Sequence, residues 1–199
     1  IGQLPMITAN MDHVGSLRLS RMGLTDDSME FLRSFGGLRW LKLNGNALTR
    51  LPEFANDGIG LTKLDLSAND IRLTDQANAR LERMHSLKIL KLSGNRRLGW
   101  TANLSGMRNL NQLYLGGTET TTFPAGAEQL TQLARIDLHG NRIGTLPEYA
   151  YQHLERINLH ENPLSAETLQ RLAPQALVVQ PNWEHVTAGE GRDLWLQGL

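Results

Sequence analysis

Branched aliphatic residues return along this chain in one phrase: apolar, two variable, apolar, one variable, apolar, two variable, asparagine, one variable, apolar. The clearest copy is Leu133-Ala-Arg-Ile136-Asp-Leu138-His-Gly-Asn141-Arg-Ile143. The same frame fits Val14-Leu17-Leu19-Met22-Leu24, Leu38-Leu41-Leu43-Asn46-Leu48, Leu61-Leu64-Leu66-Asn69-Ile71, Leu87-Leu90-Leu92-Asn95, Leu110-Leu113-Leu115-Thr118 and Leu154-Ile157-Leu159-Asn162-Leu164. Copies start at residues 14, 38, 61, 87, 110, 133 and 154, in steps of 24, 23, 26, 23, 23 and 21.

A period in this range with this phrase marks a leucine-rich repeat. Two apolar residues separated by one variable residue point the same way in a strand, leaving the residue between them on the opposite face. One such strand cannot bury its apolar side alone, whereas a stack of rungs can. The predicted fold is an α/β leucine-rich repeat solenoid with a parallel concave sheet of about seven strands. Mixed short helices and Leu-Pro loops form its convex side. The asparagines Asn46, Asn69, Asn95, Asn141 and Asn162 stand where the chain turns off the sheet. There a side-chain amide can bond backbone groups that the turn leaves unpaired, so their assigned role is structural.

The spacers differ in kind. Thr25 to Phe35 offers an N-cap, acidic residues in the first turn and Met29, Leu32 and Phe35 at helical spacing, which predicts a helix. Thr74 to Met84 also reads as helical. The spacers with Leu51-Pro52, Phe123-Pro124 and Leu146-Pro147 read as extended, because proline lacks a backbone donor and biases its predecessor away from helix. In the fourth copy Arg97 falls where an apolar residue belongs, so Leu98 is expected to take the core place through a one-residue bulge. In the fifth, Thr118 replaces asparagine and can make only part of its bonds.

This divides the chain into a capping segment at 1–13, seven repeats at 14–165, a cap helix and short strand at 166–180, and a linker with the start of a helix at 181–199. The cap helix begins after Ser165 and is expected to stop at Pro174. Ile1 stands where an initiator methionine would, and Leu4-Pro5 resembles the end of an earlier spacer. The chain therefore reads as part of a longer protein.

Function in a solenoid lies on the variable positions. The third position of each copy reads Ser16, Trp40, Lys63, Ile89, Gln112, Arg135, Arg156; the fifth reads Arg18, Lys42, Asp65, Lys91, Tyr114, Asp137, Asn158. The chain as a whole is neutral, with 20 basic and 20 acidic residues. Net charge thus argues against nucleic acid and against a membrane surface. Locally it is uneven. Over the exposed positions the first four copies carry Arg18, Arg21, Arg39, Lys42, Lys63, Lys88 and Lys91 against Asp65 alone. The last three carry Arg135 and Arg156 against Asp137, Glu155 and Glu161. A basic half-groove attracts an acidic protein surface within a Debye length of about 8–10 Å. Exposed aromatic and apolar side chains among such cations have the composition of binding hot spots. Arg18, Arg39, Trp40, Lys42, Lys63, Ile89, Lys91, Tyr114 and Arg135 are therefore the candidate protein-binding residues.

No cofactor is implied. The chain has no cysteine, which removes thiol catalysis and cysteine-held zinc. His139 and His160 share one column in adjacent copies, but without a clear third ligand they read as surface residues rather than a metal pair. An open curved sheet gives a serine–histidine–acid triad no pocket.

The Leu-Pro spacers, the run Leu32-Arg-Ser-Phe-Gly-Gly-Leu-Arg-Trp-Leu-Lys-Leu-Asn-Gly-Asn46 and the closing Ile157-Asn-Leu-His-Glu-Asn-Pro-Leu-Ser165 carry a resemblance. The chain, over its whole length, resembles the leucine-rich repeat domains of secreted bacterial effectors that precede a ubiquitin-ligase module of the NEL (novel E3 ligase) type. In that family a downstream cysteine is the nucleophile, while the repeats recruit the host substrate and can restrain the ligase. The resemblance implies a substrate-recognition domain that binds a host protein and adjoins a catalytic domain of the same protein, delivered by bacteria into the host cytoplasm. The alternative is an autoinhibitory or structural repeat domain with no external substrate of its own. The spacers at 25–37 and 74–86 are longer than the compact Leu-Pro type of the best-known members.

Overall fold

The computed structural model describes residue 7 and residues 9–176. Seven short strands are β1 (Ser16–Arg18), β2 (Trp40–Lys42), β3 (Lys63–Asp65), β4 (Ile89–Lys91), β5 (Gln112–Tyr114), β6 (Arg135–Asp137) and β7 (Ile157–Asn158). They form one sheet in the order of the sequence, each parallel to the next. The register never slips: Leu17 pairs Leu41, Leu41 pairs Leu64, Leu64 pairs Leu90, Leu90 pairs Leu113, and Leu113 pairs Ile136. A slip of one residue would turn each rung's apolar side chains to solvent, so the repeated phrase enforces the pairing.

One continuous core runs through the rungs. Leu43, Leu66, Leu92, Leu115 and Leu138 are completely buried, as are Leu90, Leu113 and Ile136. Behind each strand the chain turns at the eighth position of the phrase in the left-handed region. Gly45, Gly94, Gly117 and Gly140 stand there with φ of 71°, 77°, 63° and 62°, while Ala68 adopts 52° with a side chain present. The asparagine follows immediately and joins two rungs. Asn95 donates to the carbonyls of Leu92 in its own rung (2.8 Å) and Leu66 in the preceding one (3.1 Å), and accepts from the Ile71 amide (2.9 Å). Asn46, Asn69, Asn141 and Asn162 repeat this pattern. Thr118 reaches its own rung's Leu115 carbonyl at 2.7 Å and, having no amide, lends its backbone N–H to Asn141 instead.

The spacers agree with expectation in part. Helix α1 (Asp75–Glu82) forms where predicted, capped by Thr74, whose hydroxyl accepts from the Ala77 amide at 3.1 Å. Leu98 is completely buried and Arg97 exposed, so the bulge is present. The predicted helix at 25–35 is instead two 3-10 turns, Asp26–Ser28 and Glu30–Ser34, and Thr25 makes no side-chain cap bond. Phe31 is buried alongside Met29, Leu32 and Phe35, which widens the buried face beyond the stripe of Met29, Leu32 and Phe35 on which the helix was predicted. Asp26 is also diverted, accepting from the Thr49 amide at 3.0 Å and from the Thr49 hydroxyl in the next rung.

The extended reading of the Leu146-Pro147 spacer is corrected as well. Pro147 is the N-cap of a short helix, α2 (Glu148–Gln152), a place where its missing donor costs nothing. Helix α3 (Ala166–Ala176) starts after Ser165, whose hydroxyl accepts from the Thr168 amide at 3.2 Å. It passes Pro174 rather than ending there, at the loss of the one helical bond that a proline cannot donate. Leu172 of α3 packs with Tyr151 and Leu154 in a small cluster beyond the main core. At the other end Ile7 and Met11 lie against the core. The expected short strand at 176–179 and the helix start near 192 lie outside the described residues.

Candidate protein-binding surface

The variable positions within the strands project from the side opposite the core. Register places Arg18 beside Lys42, Lys42 beside Asp65, Asp65 beside Lys91, and Lys91 beside Tyr114. In the parallel row Trp40 neighbours Lys63, Lys63 neighbours Ile89, and Gln112 neighbours Arg135. Eight of the nine candidates thus form one contiguous patch over β1 to β6.

Arg39 is the exception. Its guanidinium donates to the Gly60 carbonyl at 2.9 Å, at the entrance to the third rung. A β-carbon at position 60 would collide with that guanidinium. It stands one residue before β2, where the in-and-out alternation turns its side chain away from the inward row. Residue-type counting placed Arg39 in the groove; the direction of its side chain places it on the rim.

Two cations are held on aromatic rings of the same wall. The Lys63 ammonium lies 3.7 Å from the centroid of Trp40, which remains 42% exposed. The Lys91 ammonium lies 4.9 Å from the centroid of Tyr114. A cation over a ring face is attracted by its quadrupole, so both long side chains are ordered without being neutralised. Tyr114 is fixed in turn, its hydroxyl donating to Gln112 at 2.9 Å and accepting from Arg135 at 3.4 Å. Lys63 and Lys91 lean apart, each toward its own aromatic, and Ile89 and Asp65 lie between them.

Charge is treated differently at the two ends of the sheet. Among the described residues Arg18, Lys42, Lys63 and Lys91 form no ion pair. The acidic groups of the last rungs have partners nearby: Asp137 with His139 at 2.8 Å, Glu155 with Arg156 at 3.1 Å, and Glu161 with His160 at 3.4 Å. The Asp137 hydrogen bond raises the His139 pKa above its usual 6.5, aided by the charges of Asp137 and Glu161 and opposed by partial burial. Among the described residues no group of three histidine, cysteine, aspartate or glutamate side chains is arranged to hold a metal ion.

Three contributors lie outside the nine candidate residues. Asp65 is the lone acid within the basic patch and accepts from the Ser67 amide at 3.0 Å. Gln112 orients Tyr114. Gly116 lies directly beneath the His139 ring, which a β-carbon there would displace. All three stand in inward columns, Gly116 as the one glycine of the seventh position, which reads Ser20, Asn44, Ser67, Ser93, Gly116, His139, His160; their contacts could not be read from the sequence.

Strand order, register and the asparagine column together define a leucine-rich repeat solenoid. No protein-family model matches the chain. It is 27% identical over 140 residues to leucine-rich repeat-containing G-protein coupled receptor 4 of Xenopus tropicalis, an alignment covering 69% of this chain and 15% of the receptor. A leucine-rich repeat protein of Leptospira interrogans superposes with a TM-score of 0.56 at 24% identity, over 67% of this chain and 34% of that one. An internalin of Listeria monocytogenes superposes with a TM-score of 0.51 at 17% identity, over 82% of this chain and 58% of that one. The chain thus spans less than two thirds of each of these proteins, and the structural likeness is one of fold. Among the described residues no helix is long and apolar enough to cross a membrane.

Proposed function

We propose that this chain is a protein-binding module that engages its partner on the inward face of β1 to β6. The observation that carries this reading is the register of Arg18, Lys42, Lys63 and Lys91 on four successive strands without carboxylate partners, beside the half-exposed Trp40 ring. A patch in which four cations face the single acid Asp65 on a stiff sheet steers an acidic surface toward it. A large exposed aromatic then offers the area on which an interface anchor depends. In its finer form the module is the substrate-recognition domain of a secreted bacterial ubiquitin-ligase effector. Its partner is a host protein with an acidic surface, and its neighbour in the same protein is a catalytic domain. The finer form rests on the resemblance of residues 32–46 and 157–165 to that group.

The test compares the wild-type chain with a K42E/K63E/K91E variant and with Arg83→Glu, a change on the exposed end of α1. A partner captured by wild type and R83E, and lost by the triple variant with an unchanged melting curve, supports the inward face. Equal capture by all three removes that face from the interaction. The sequence following Leu199 in the gene tests the finer form: a helical domain with a cysteine motif supports it, and a stop codon removes it.

A further inference from the structure

Asp65 is the one acid within the basic patch, and its charge has no use inside the chain. Three fifth-position side chains hold the turn after their strand in the same way. Asp65 accepts from the Ser67 amide at 3.0 Å, Asp137 from the His139 amide at 3.2 Å, and Asn158 from the His160 amide at 3.1 Å. The neutral Asn158 shows that this bond needs an oxygen but no charge. At Asp137 the charge has a second task, because the same carboxylate oxygen lies 2.8 Å from the His139 ring nitrogen. Among the described residues Asp65 forms no ion pair at all.

That isolation is a matter of where the neighbouring lysines go. Lys42 on β2 and Lys91 on β4 flank Asp65 in register, and Lys63 stands two residues before it on β3. At a strand spacing of about 4.8 Å either flanking lysine is near enough to close an ion pair. Lys91 instead lies over Tyr114 and Lys63 over Trp40, and Lys42 extends into solvent. The carboxylate is left half-buried, among cations that do not touch it. Such a group gains a charge-assisted hydrogen bond when a basic side chain is laid on it.

We infer that Asp65 is a specificity-determining residue of the inward face: it takes one basic side chain of the partner while the lysines around it take acidic ones. The partner segment is then net acidic but of mixed charge. This rests on the inward-face reading above and adds to it a requirement of opposite sign. Specificity is a difference of affinities, served by a repulsive element as well as an attractive one. Asp65 supplies both, rejecting a carboxylate at the place where it accepts a guanidinium or an ammonium. If net charge alone ruled, Asp65 would be a flaw in a cationic patch, and removing it would tighten every acidic ligand. A carboxylate met by a partner cation has the opposite effect on a mixed ligand.

The test selects a displayed library of random 12-residue peptides on the full chain at about 50 mM salt, where surface electrostatics are strong. The baits are wild type, Asp65→Asn, Asp70→Asn and K42E/K63E/K91E. Asp65→Asn keeps the oxygen that holds the Ser67 amide, as Asn158 does for His160, so its melting curve should match wild type. Asp70→Asn makes the same change of charge at an exposed position beyond that turn. Wild type and D70N should enrich sequences with an arginine or lysine set among aspartates and glutamates. D65N should enrich acidic sequences without it, and the triple variant neither kind. One wild-type sequence is then measured by fluorescence anisotropy with its basic residue intact, replaced by citrulline, or replaced by glutamate. Wild type should bind these in falling order, losing about fivefold or more at the citrulline step. D65N should bind the glutamate form at least as well as the parent. Uniformly acidic sequences from both wild type and D65N, lost in the triple variant, overturn the role of Asp65 and leave the inward face standing. The same change of preference in D70N also overturns it, since net charge is then the cause. Sequences that the triple variant binds equally, or no enrichment on wild type, overturn both.

Discussion

The ammonium of Lys63 rests 3.7 Å above the ring of Trp40, its register partner on the neighbouring strand. The pair turns two variable positions of adjacent repeats into one ordered, cationic and still exposed platform. At exposed sites such a contact contributes about 0.5–1 kcal/mol. A double-mutant cycle with Trp40→Leu and Lys63→Met should give a coupling energy of that size in urea unfolding. Trp40→Leu alone should leave the unfolding midpoint nearly unchanged while weakening partner binding at least tenfold.

Asn95 sets the stability of the middle of the solenoid. It is completely buried and serves two carbonyls and one amide in two rungs. Asn95→Ala strands those groups away from water, at about 1–3 kcal/mol each for a buried group left unsatisfied. A loss of about 3 kcal/mol or more in urea unfolding is expected. Asn46→Ala, at a half-buried site near the end of the stack, should cost less, since water can reach the groups it leaves behind.

Ala68 occupies the left-handed turn position that glycine fills in four other rungs. An L-residue there carries strain of roughly 1–2 kcal/mol, partly offset because glycine is freer in the unfolded chain. Ala68→Gly should therefore stabilise the protein, by up to about 1 kcal/mol. Gly94→Ala at φ 77° should do the reverse. Chemical unfolding of the two variants against wild type checks the sign.

His139 gains a carboxylate partner on folding, so its folded pKa lies above 6.5. The stability this adds is complete below pH 6.5 and is lost as the pH rises through the raised folded value. The pair is partly solvated, so its contribution stays within about 1 kcal/mol. Wild type should lose more stability than His139→Gln between pH 6 and pH 8. Gly116→Ala, which pushes the ring off its seat, should return the titration of the His139 ring protons toward 6.5 in proton NMR.

The sequence by itself determined the period, the buried leucines, the asparagine ladder and the strand order. Each of these is a local rule repeated in every rung, and each rung packs only against its neighbours, so pattern and position in space coincide. For the same reason the inward columns were legible, and with them most of the basic patch. Side-chain direction was not, because it depends on atoms of another rung. Arg39 turns to the Gly60 carbonyl, Lys63 and Lys91 lean apart onto Trp40 and Tyr114, and His139 settles over Gly116. The spacer at 25–35 likewise became 3-10 turns because Phe31 found a buried place and Asp26 found Thr49 one rung away. Periodicity decides which residues face which side; only the packed neighbour decides what each of them touches.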